Sequence, residues 1–106
     1  MKKFAHFGAV ASEKKEGMFF LESIKVWATD PSNDPNSIEY LFFEDDSPMK
    51  DLPVAKGGHI AYQVDELDAK CENKKCFWPP MDVVPGIRIA FFVDENGVVT
   101  EYCQMS

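Results

Sequence analysis

Apolar residues in this 106-residue chain fall into short runs that are separated by turn-forming residues. Several runs alternate with polar residues or are rich in β-branched and aromatic side chains, which is typical of half-buried or buried β-strands. We predict strands over 4–11, 23–29, 38–44, 59–64, 87–93 and 98–104. Residues 94–97 contain the Asn-Gly pair of a hairpin turn, so the last two strands are expected to pair with each other.

One segment carries clear helix signals. Residues 66–73 follow Asp65, a residue type that caps helices, and precede two lysines, which the helix dipole favours at that end. Residues 45–58 contain two prolines and two glycines, so we interpret them as a linker between two halves. Residues 76–86 contain three prolines, which predicts an irregular segment or an edge strand.

The composition limits the class of protein. With 45% hydrophobic and 13% aromatic residues the chain can bury a core, and its length suits one domain over residues 1–106. The net charge of −7 argues against nucleic acid as a partner. Every apolar run is shorter than the roughly 20 residues that span a bilayer. Three cysteines fit no disulfide framework, so we expect a cytoplasmic protein with reduced thiols.

The two halves of the chain repeat a pattern of histidine followed by glutamate. His6 and His59, the only two histidines, each stand near the start of a predicted strand. Glu39 and Glu101 each precede a tyrosine within a later apolar strand. The interval from histidine to glutamate is 33 residues in the first half and 42 in the second. The first half is therefore short by about one helix or one strand.

These four residues suggest a metal site. An unpaired carboxylate is costly to bury, and a divalent metal that all four residues bind would remove that cost. Imidazole nitrogen and carboxylate oxygen suit zinc, nickel, iron or manganese, and four ligands would leave open positions for substrate. Taken singly, each histidine could instead be a surface residue at a strand end, and each glutamate could face solvent. The repetition favours the metal site.

Glu44 is an alternative to Glu39 as the first-half ligand. The two residues are five positions apart and so lie on opposite faces of an unbroken strand. We prefer Glu39, because Glu44 adjoins two aspartates and is expected to be solvated.

Further residues have two plausible roles each. Cys103 shares the predicted strand face of Glu101, where it could line a cleft as a soft ligand or redox group, or act as a small core residue. Arg88, the only arginine, could bind an anionic substrate or form a surface ion pair. Four aromatic residues could form a pocket floor or belong to the core or an interface: Trp27, Trp78, Phe91 and Phe92.

Residues 59–69 (HIAYQVDELDA) and 87–102 (IRIAFFVDENGVVTEY) resemble the second module of the vicinal oxygen chelate superfamily, which includes glyoxalase I, bleomycin-resistance proteins and extradiol dioxygenases. The resemblance implies an α+β fold of two βαβββ modules that form a curled mixed sheet around a cleft. Module one would cover about 1–50, in shortened form, and module two about 57–106. It also implies a divalent metal with four ligands: His6, Glu39, His59 and Glu101.

The resemblance implies a metal-dependent lyase or isomerase that acts on a small substrate with vicinal oxygens. Glu101 or Glu39 would move a proton between adjacent carbons. Two alternatives remain open: a non-catalytic protein that binds a drug or metabolite, and an iron-dependent extradiol dioxygenase that uses two histidines and one glutamate. Exposed sheet edges favour a homodimer, and neither nucleic acid nor a membrane is expected as a partner.

Overall fold

The computed structural model describes residues 2–105, and within them eight strands form one sheet in the order β2-β3-β4-β1-β5-β8-β7-β6. The helices of this range are a 3₁₀ turn (Pro31–Asn33), α1 (Pro53–Lys56) and α2 (Leu67–Cys71). The strands are β1 (Lys3–Val10), β2 (Phe19–Leu21), β3 (Val26–Ala28), β4 (Ile38–Phe43), β5 (His59–Gln63), β6 (Cys76–Val84), β7 (Ile87–Val93) and β8 (Val99–Met105).

The sheet consists of two halves with the same strand arrangement. In each half the first strand pairs in parallel with the last, as β1 does with β4 and β5 does with β8. The two middle strands follow in antiparallel pairing towards the edge. β1 and β5 join the halves as an antiparallel pair at the centre, with Gly8 opposite His59. This curled mixed sheet confirms the predicted architecture.

The first half is shortened in two ways: residues 11–18 form no counterpart of α2, and β2 and β3 have three residues each where β6 and β7 have nine and seven. α2 covers the outer face of the sheet with Leu67 and Cys71, which pack against residues of β7 and β8. The chain between β1 and β2 instead places Lys14 Nζ 4.6 Å from the centre of the Trp27 ring. The Lys14 side chain therefore covers one face of the Trp27 ring in the first half, whereas α2 covers the outer face of the second half.

α2 begins in a different way from the sequence prediction. We expected a helix over 66–73 capped by Asp65, but α2 covers Leu67–Cys71 and its cap position is Glu66, which has a positive φ of 51° and makes no side-chain capping bond. The Leu67 N–H donates instead to Oε1 of Gln104 at 2.7 Å. The helix is capped by a residue of β8, which local sequence does not reveal.

The proline-rich segment 76–86 contains the edge strand β6, which is one of its two predicted alternatives, and the pairing of β6 with β7 has register shifts. An edge is where prolines are tolerated in a sheet. Two other predictions need correction. The strand predicted over 23–29 is reduced to β3, because Lys25 has a positive φ of 53° that interrupts extended backbone. The linker 45–58 forms α1 and buries Met49 and Val54 in the core.

Within residues 2–105 there is no helix that is both long and apolar enough to cross a membrane.

Candidate metal centre

The fold brings the four predicted ligands together at the centre of the sheet. In the first half, His6 of β1 lies beside Glu39 of the parallel strand β4. In the second half, His59 of β5 lies beside Glu101 of β8. Because β1 pairs with β5, the two half-sites meet and their side chains enter one cleft.

The distances within this cluster suit a single ion. Glu101 Oε1 lies 2.9 Å from His59 Nε2 and 3.5 Å from His6 Nε2, and Glu39 Oε1 lies 3.2 Å from His6 Nε2. One potential ligand atom from each residue lies within 4.8 Å of all the others. Nitrogen and oxygen ligands of zinc lie about 2.0–2.2 Å from the ion, which separates neighbouring ligand atoms by about 3 Å or slightly more. The four side chains need to move little to share a metal.

The imidazoles have unused donor atoms. His6 Nε2 and both ring nitrogens of His59 are buried and have no hydrogen-bond partner among the described residues. Glutamate oxygens lie 2.9 and 3.2 Å from these nitrogens. Their angles at the imidazole rings, however, do not suit hydrogen bonds. A buried nitrogen without a partner is costly. Two imidazoles and two carboxylates are also a suitable donor set for a divalent transition metal, so the residues present fit such an ion.

In the absence of metal the cluster holds opposite charges. Burial lowers the pKa of His6, but the carboxylates of Glu101 and Glu39 outweigh burial and raise it to about 10. Burial raises the pKa of Glu101, but the imidazoles of His59 and His6 outweigh burial and lower it to about 2. A metal that binds His6 must therefore displace a proton.

Gly8 contributes to the site through the space that it leaves. A Cβ atom at Gly8 would lie 2.0 Å from Cε1 and 2.4 Å from Nδ1 of His59. The imidazole thus packs directly on the backbone of β1, which fixes the direction in which its Nε2 points. Sequence reasoning missed this residue, because the contact depends on the register between β1 and β5.

The structure separates the two candidate glutamates of the first half. Glu39 belongs to the cluster, as we preferred. Glu44 lies elsewhere, where its Oε2 accepts a hydrogen bond from Trp27 Nε1 at 2.7 Å and lies 3.6 Å from Lys14 Nζ.

The structure also decides between the two roles considered for Cys103 and for Arg88. Cys103 lines the cleft, as its spacing from Glu101 predicted, but lies outside the group of four. Burial, followed by the charge of Glu101, raises the pKa of its thiol to about 12, so Cys103 is a neutral core residue. Arg88 forms a bidentate ion pair with Asp68, with N–O distances of 2.9 and 3.1 Å. Of its two predicted roles, the surface ion pair is therefore the one that the structure shows, and not the binding of an anionic substrate.

The cleft above the cluster has a volume of about 460 Å³, which is within the usual range for small-molecule sites. Of the four aromatic candidates, Phe91 lines the cleft and packs edge-on against His59, with ring centres 5.3 Å apart. Phe92 packs on the opposite face of the sheet with Tyr102. Trp27 and Trp78 do not line the cleft.

No family model matches the sequence, and no curated protein matches it. Among solved structures, the chain is similar to methylmalonyl-CoA epimerase from Mycobacterium tuberculosis, with a TM-score of 0.59 and 14% sequence identity. The match covers 98% of this chain and 88% of the epimerase chain. At this identity the likeness concerns the fold, and it agrees with the strand order and the duplicated halves. The chain therefore has a glyoxalase-like fold.

Proposed function

We propose that the protein is a metal-dependent isomerase that moves a proton between neighbouring carbons of a small substrate with two adjacent oxygens. The observation that carries this proposal is the convergence of two His–Glu pairs, with unpartnered imidazole nitrogens, at the floor of a cleft. The metal ligands are His6, Glu39, His59 and Glu101, and zinc, nickel, iron and manganese all suit this donor set.

The two glutamates have different roles in this proposal. When bound, a divalent ion would act as a Lewis acid towards the substrate oxygens. Glu101 lies between both imidazoles, and its side chain is only 8% exposed, so we assign it to holding the site together. Glu39 forms an ion pair with the His6 imidazole, and its side chain is 16% exposed. Its carboxylate takes the proton from one substrate carbon and returns it to the neighbouring one.

The structural neighbour supports the reaction class. Its name describes an epimerase, and an epimerase inverts a carbon centre by breaking and re-forming one of its bonds. Isomerisation through proton transfer needs no oxidant and no second substrate, so a site with one base and one metal is sufficient for it.

Deuterium exchange tests the proposal. The protein, loaded in turn with Zn²⁺, Ni²⁺, Fe²⁺ and Mn²⁺, is incubated in D₂O with (R)-1-hydroxy-1-phenylpropan-2-one, which carries adjacent oxygens and an acidic C–H. We expect NMR to show loss of the C1 proton signal and formation of the isomeric hydroxyketone. Glu39→Gln should slow the exchange by about 10²-fold or more.

Glu44→Gln is the matched control, because Glu44 follows the opposite end of β4 from Glu39, lies outside the cluster and contacts Trp27. It should exchange the proton at the wild-type rate. Binding of the hydroxyketone without any exchange, with each of the four metals bound, would contradict the isomerase.

The apolar walls of the cleft favour a second candidate function, the non-catalytic binding of a small molecule. A sequestering cleft would keep its affinity for the ligand after the metal is removed with a chelator. An isomerase site that holds its substrate through the metal would lose that affinity. Ligand titrations with and without EDTA treatment separate the two functions.

The residue ranges 1–50 and 57–106 are proposed to act as two modules of one functional unit. The homodimer stays a prediction, supported by the unpaired outer edges of β2 and β6. Large apolar side chains on these edge strands are exposed, among them Phe19, Phe20 and Met81. Sedimentation analysis of the purified protein tests it.

A further inference from the structure

The lining of the cleft bears on the class of substrate. We infer that the cleft accepts uncharged, apolar molecules with two adjacent oxygens and rejects their anionic counterparts. This inference rests on the proposed function, because it concerns the ligand of the same site.

The walls of the cleft offer no positive charge. Among the described residues, no lysine or arginine lines it. Beyond the four residues of the cluster, its walls are mainly aliphatic and aromatic, as at Phe43, Ile89 and Phe91. An anionic group placed against such walls would lose its hydration and gain no partner.

The charges that do face the cleft disfavour anions. A divalent ion at the cluster would be neutralised by the two carboxylates of Glu39 and Glu101, so the loaded site carries no excess positive charge. The further charged residue of the lining is Asp30, which is acidic. The chain as a whole has a net charge of −7, so the long-range field also repels anions.

Two of the cations near the sheet are already engaged with acidic partners. Arg88 holds Asp68 through two hydrogen bonds, and Lys25 Nζ lies 2.7 Å from Asp46. Neither residue lines the cleft. An incoming carboxylate or phosphate would have to compete with these pairs.

The structural neighbour acts on a different kind of molecule. Methylmalonyl-CoA, which its name gives, carries a free carboxylate and several phosphate charges. Such a compound needs cationic side chains around its binding site, which the lining of this cleft does not offer. The shared fold therefore does not extend to a shared substrate class.

Two matched probes test the inference. 1-Phenylpropane-1,2-dione and phenylglyoxylate share the phenyl ring and the adjacent oxygens, and they differ by a methyl group in place of a charged oxygen. Titration calorimetry on the metal-loaded protein should show at least about tenfold tighter binding of the dione.

A cation introduced at the mouth of the cleft should change this preference. Met105 lines the cleft and is 54% exposed, so Met105→Lys places a charge there without disturbing the core. We expect the affinity of phenylglyoxylate relative to that of the dione to be about two- to fivefold higher in this variant than in the wild type. Val98→Lys is the control, because Val98 is also exposed, lies outside the cleft and gives the same net charge.

The outcomes separate the inference from the proposed function. Equal or tighter binding of phenylglyoxylate by the wild type, or no binding of the dione, overturns the substrate class. An equal gain of phenylglyoxylate affinity in Met105→Lys and Val98→Lys also overturns it, because the cleft would then not be the binding site. A clear dione preference without deuterium exchange supports the substrate class and contradicts the isomerase.

Discussion

Gly8, which has no side chain, leaves the space that positions the imidazole of His59. The imidazole of His59 occupies the volume that a Cβ atom at Gly8 would need, and it is almost fully buried, with 1% exposure. Its Nδ1 has no hydrogen-bond partner among the described residues, so on that side of the ring the packing against β1 orients the imidazole, while Glu101 Oε1 lies 2.9 Å from Nε2. In many metal sites a hydrogen bond to the second ring nitrogen performs this task.

Replacement of Gly8 by alanine should weaken metal binding. The added methyl group would displace the His59 ring, so we expect the metal dissociation constant of Gly8→Ala to rise by about 10- to 100-fold. Competition with a chromophoric chelator measures it. Gly57→Ala is the control, because a Cβ atom there meets nothing within 4 Å. Equal affinities of Gly8→Ala and the wild type would show that the glycine does not position the ligand.

At the scale of single residues, the sequence predicted those site residues that its internal repeat contains. The duplicated histidine and glutamate identified the four clustered residues, and the two aspartates beside Glu44 favoured Glu39 over it. Gly8 could not be predicted, because its role depends on a neighbour 51 positions away in the sequence that only the β1–β5 register brings into contact. The pairing of Arg88 with Asp68 likewise depends on contacts across elements.

Secondary structure followed the hydrophobic pattern where the signals were local. Strand β7 matches its prediction at both ends, and the Asn-Gly turn connects it to β8 as expected. The start of α2 differs because its capping group, the side chain of Gln104, comes from another strand. The prolines of residues 76–86 predicted an irregular segment or an edge strand, and β6 is an edge strand, but local composition could not decide between the two.

The contact between Gln104 and α2 should contribute measurably to stability. Gln104→Ala leaves the Leu67 N–H without its acceptor, so we expect the free energy of unfolding to fall by about 0.5–1.5 kcal/mol. Urea denaturation measures the change. Gln63→Ala, at an exposed position of β5, should lower the free energy of unfolding by clearly less. Equal losses in the two variants would mean that the cap does not stabilise the helix.

On the scale of the whole molecule, the repeat in the sequence becomes a repeat in the sheet. Each half supplies one histidine and one glutamate from a parallel strand pair, and the antiparallel β1–β5 junction unites them. The shortened interval of the first half predicted a missing helix or strand, and the structure divides the deficit between the two: residues 11–18 form no counterpart of α2, and β2 and β3 are shorter than β6 and β7. This division could not be predicted from length alone, because a helix and a strand of similar length would leave the same deficit.

The charges of the cluster give the metal-free protein a specific pH dependence. The pKa of His6 is raised from 6.5 to about 10, so its stabilising charge is complete below pH 6.5 and is lost as the pH rises towards 10. The pKa of Glu101 is lowered from 4.5 to about 2, so its contribution is complete above pH 4.5 and is lost as the pH falls towards 2. We expect maximal stability between pH 4.5 and 6.5.

Urea unfolding of EDTA-treated protein across this range measures the dependence. His6→Gln removes the group that titrates, so its stability should decline less than that of the wild type between pH 6.5 and about 10. The same decline in both proteins would show that His6 does not hold the proton in the metal-free fold.

The central claim is that His6, Glu39, His59 and Glu101 bind one divalent ion, and metal content tests it most directly. The purified protein is equilibrated separately with Zn²⁺, Ni²⁺, Fe²⁺ and Mn²⁺, dialysed, and analysed for bound metal by mass spectrometry. We predict one ion per chain, with at least one of these metals, in the wild type and in Glu44→Gln, and little or none in His59→Ala and Glu101→Gln. A wild type that retains none of the four metals, or a His59→Ala variant that retains as much as the wild type, would contradict the account.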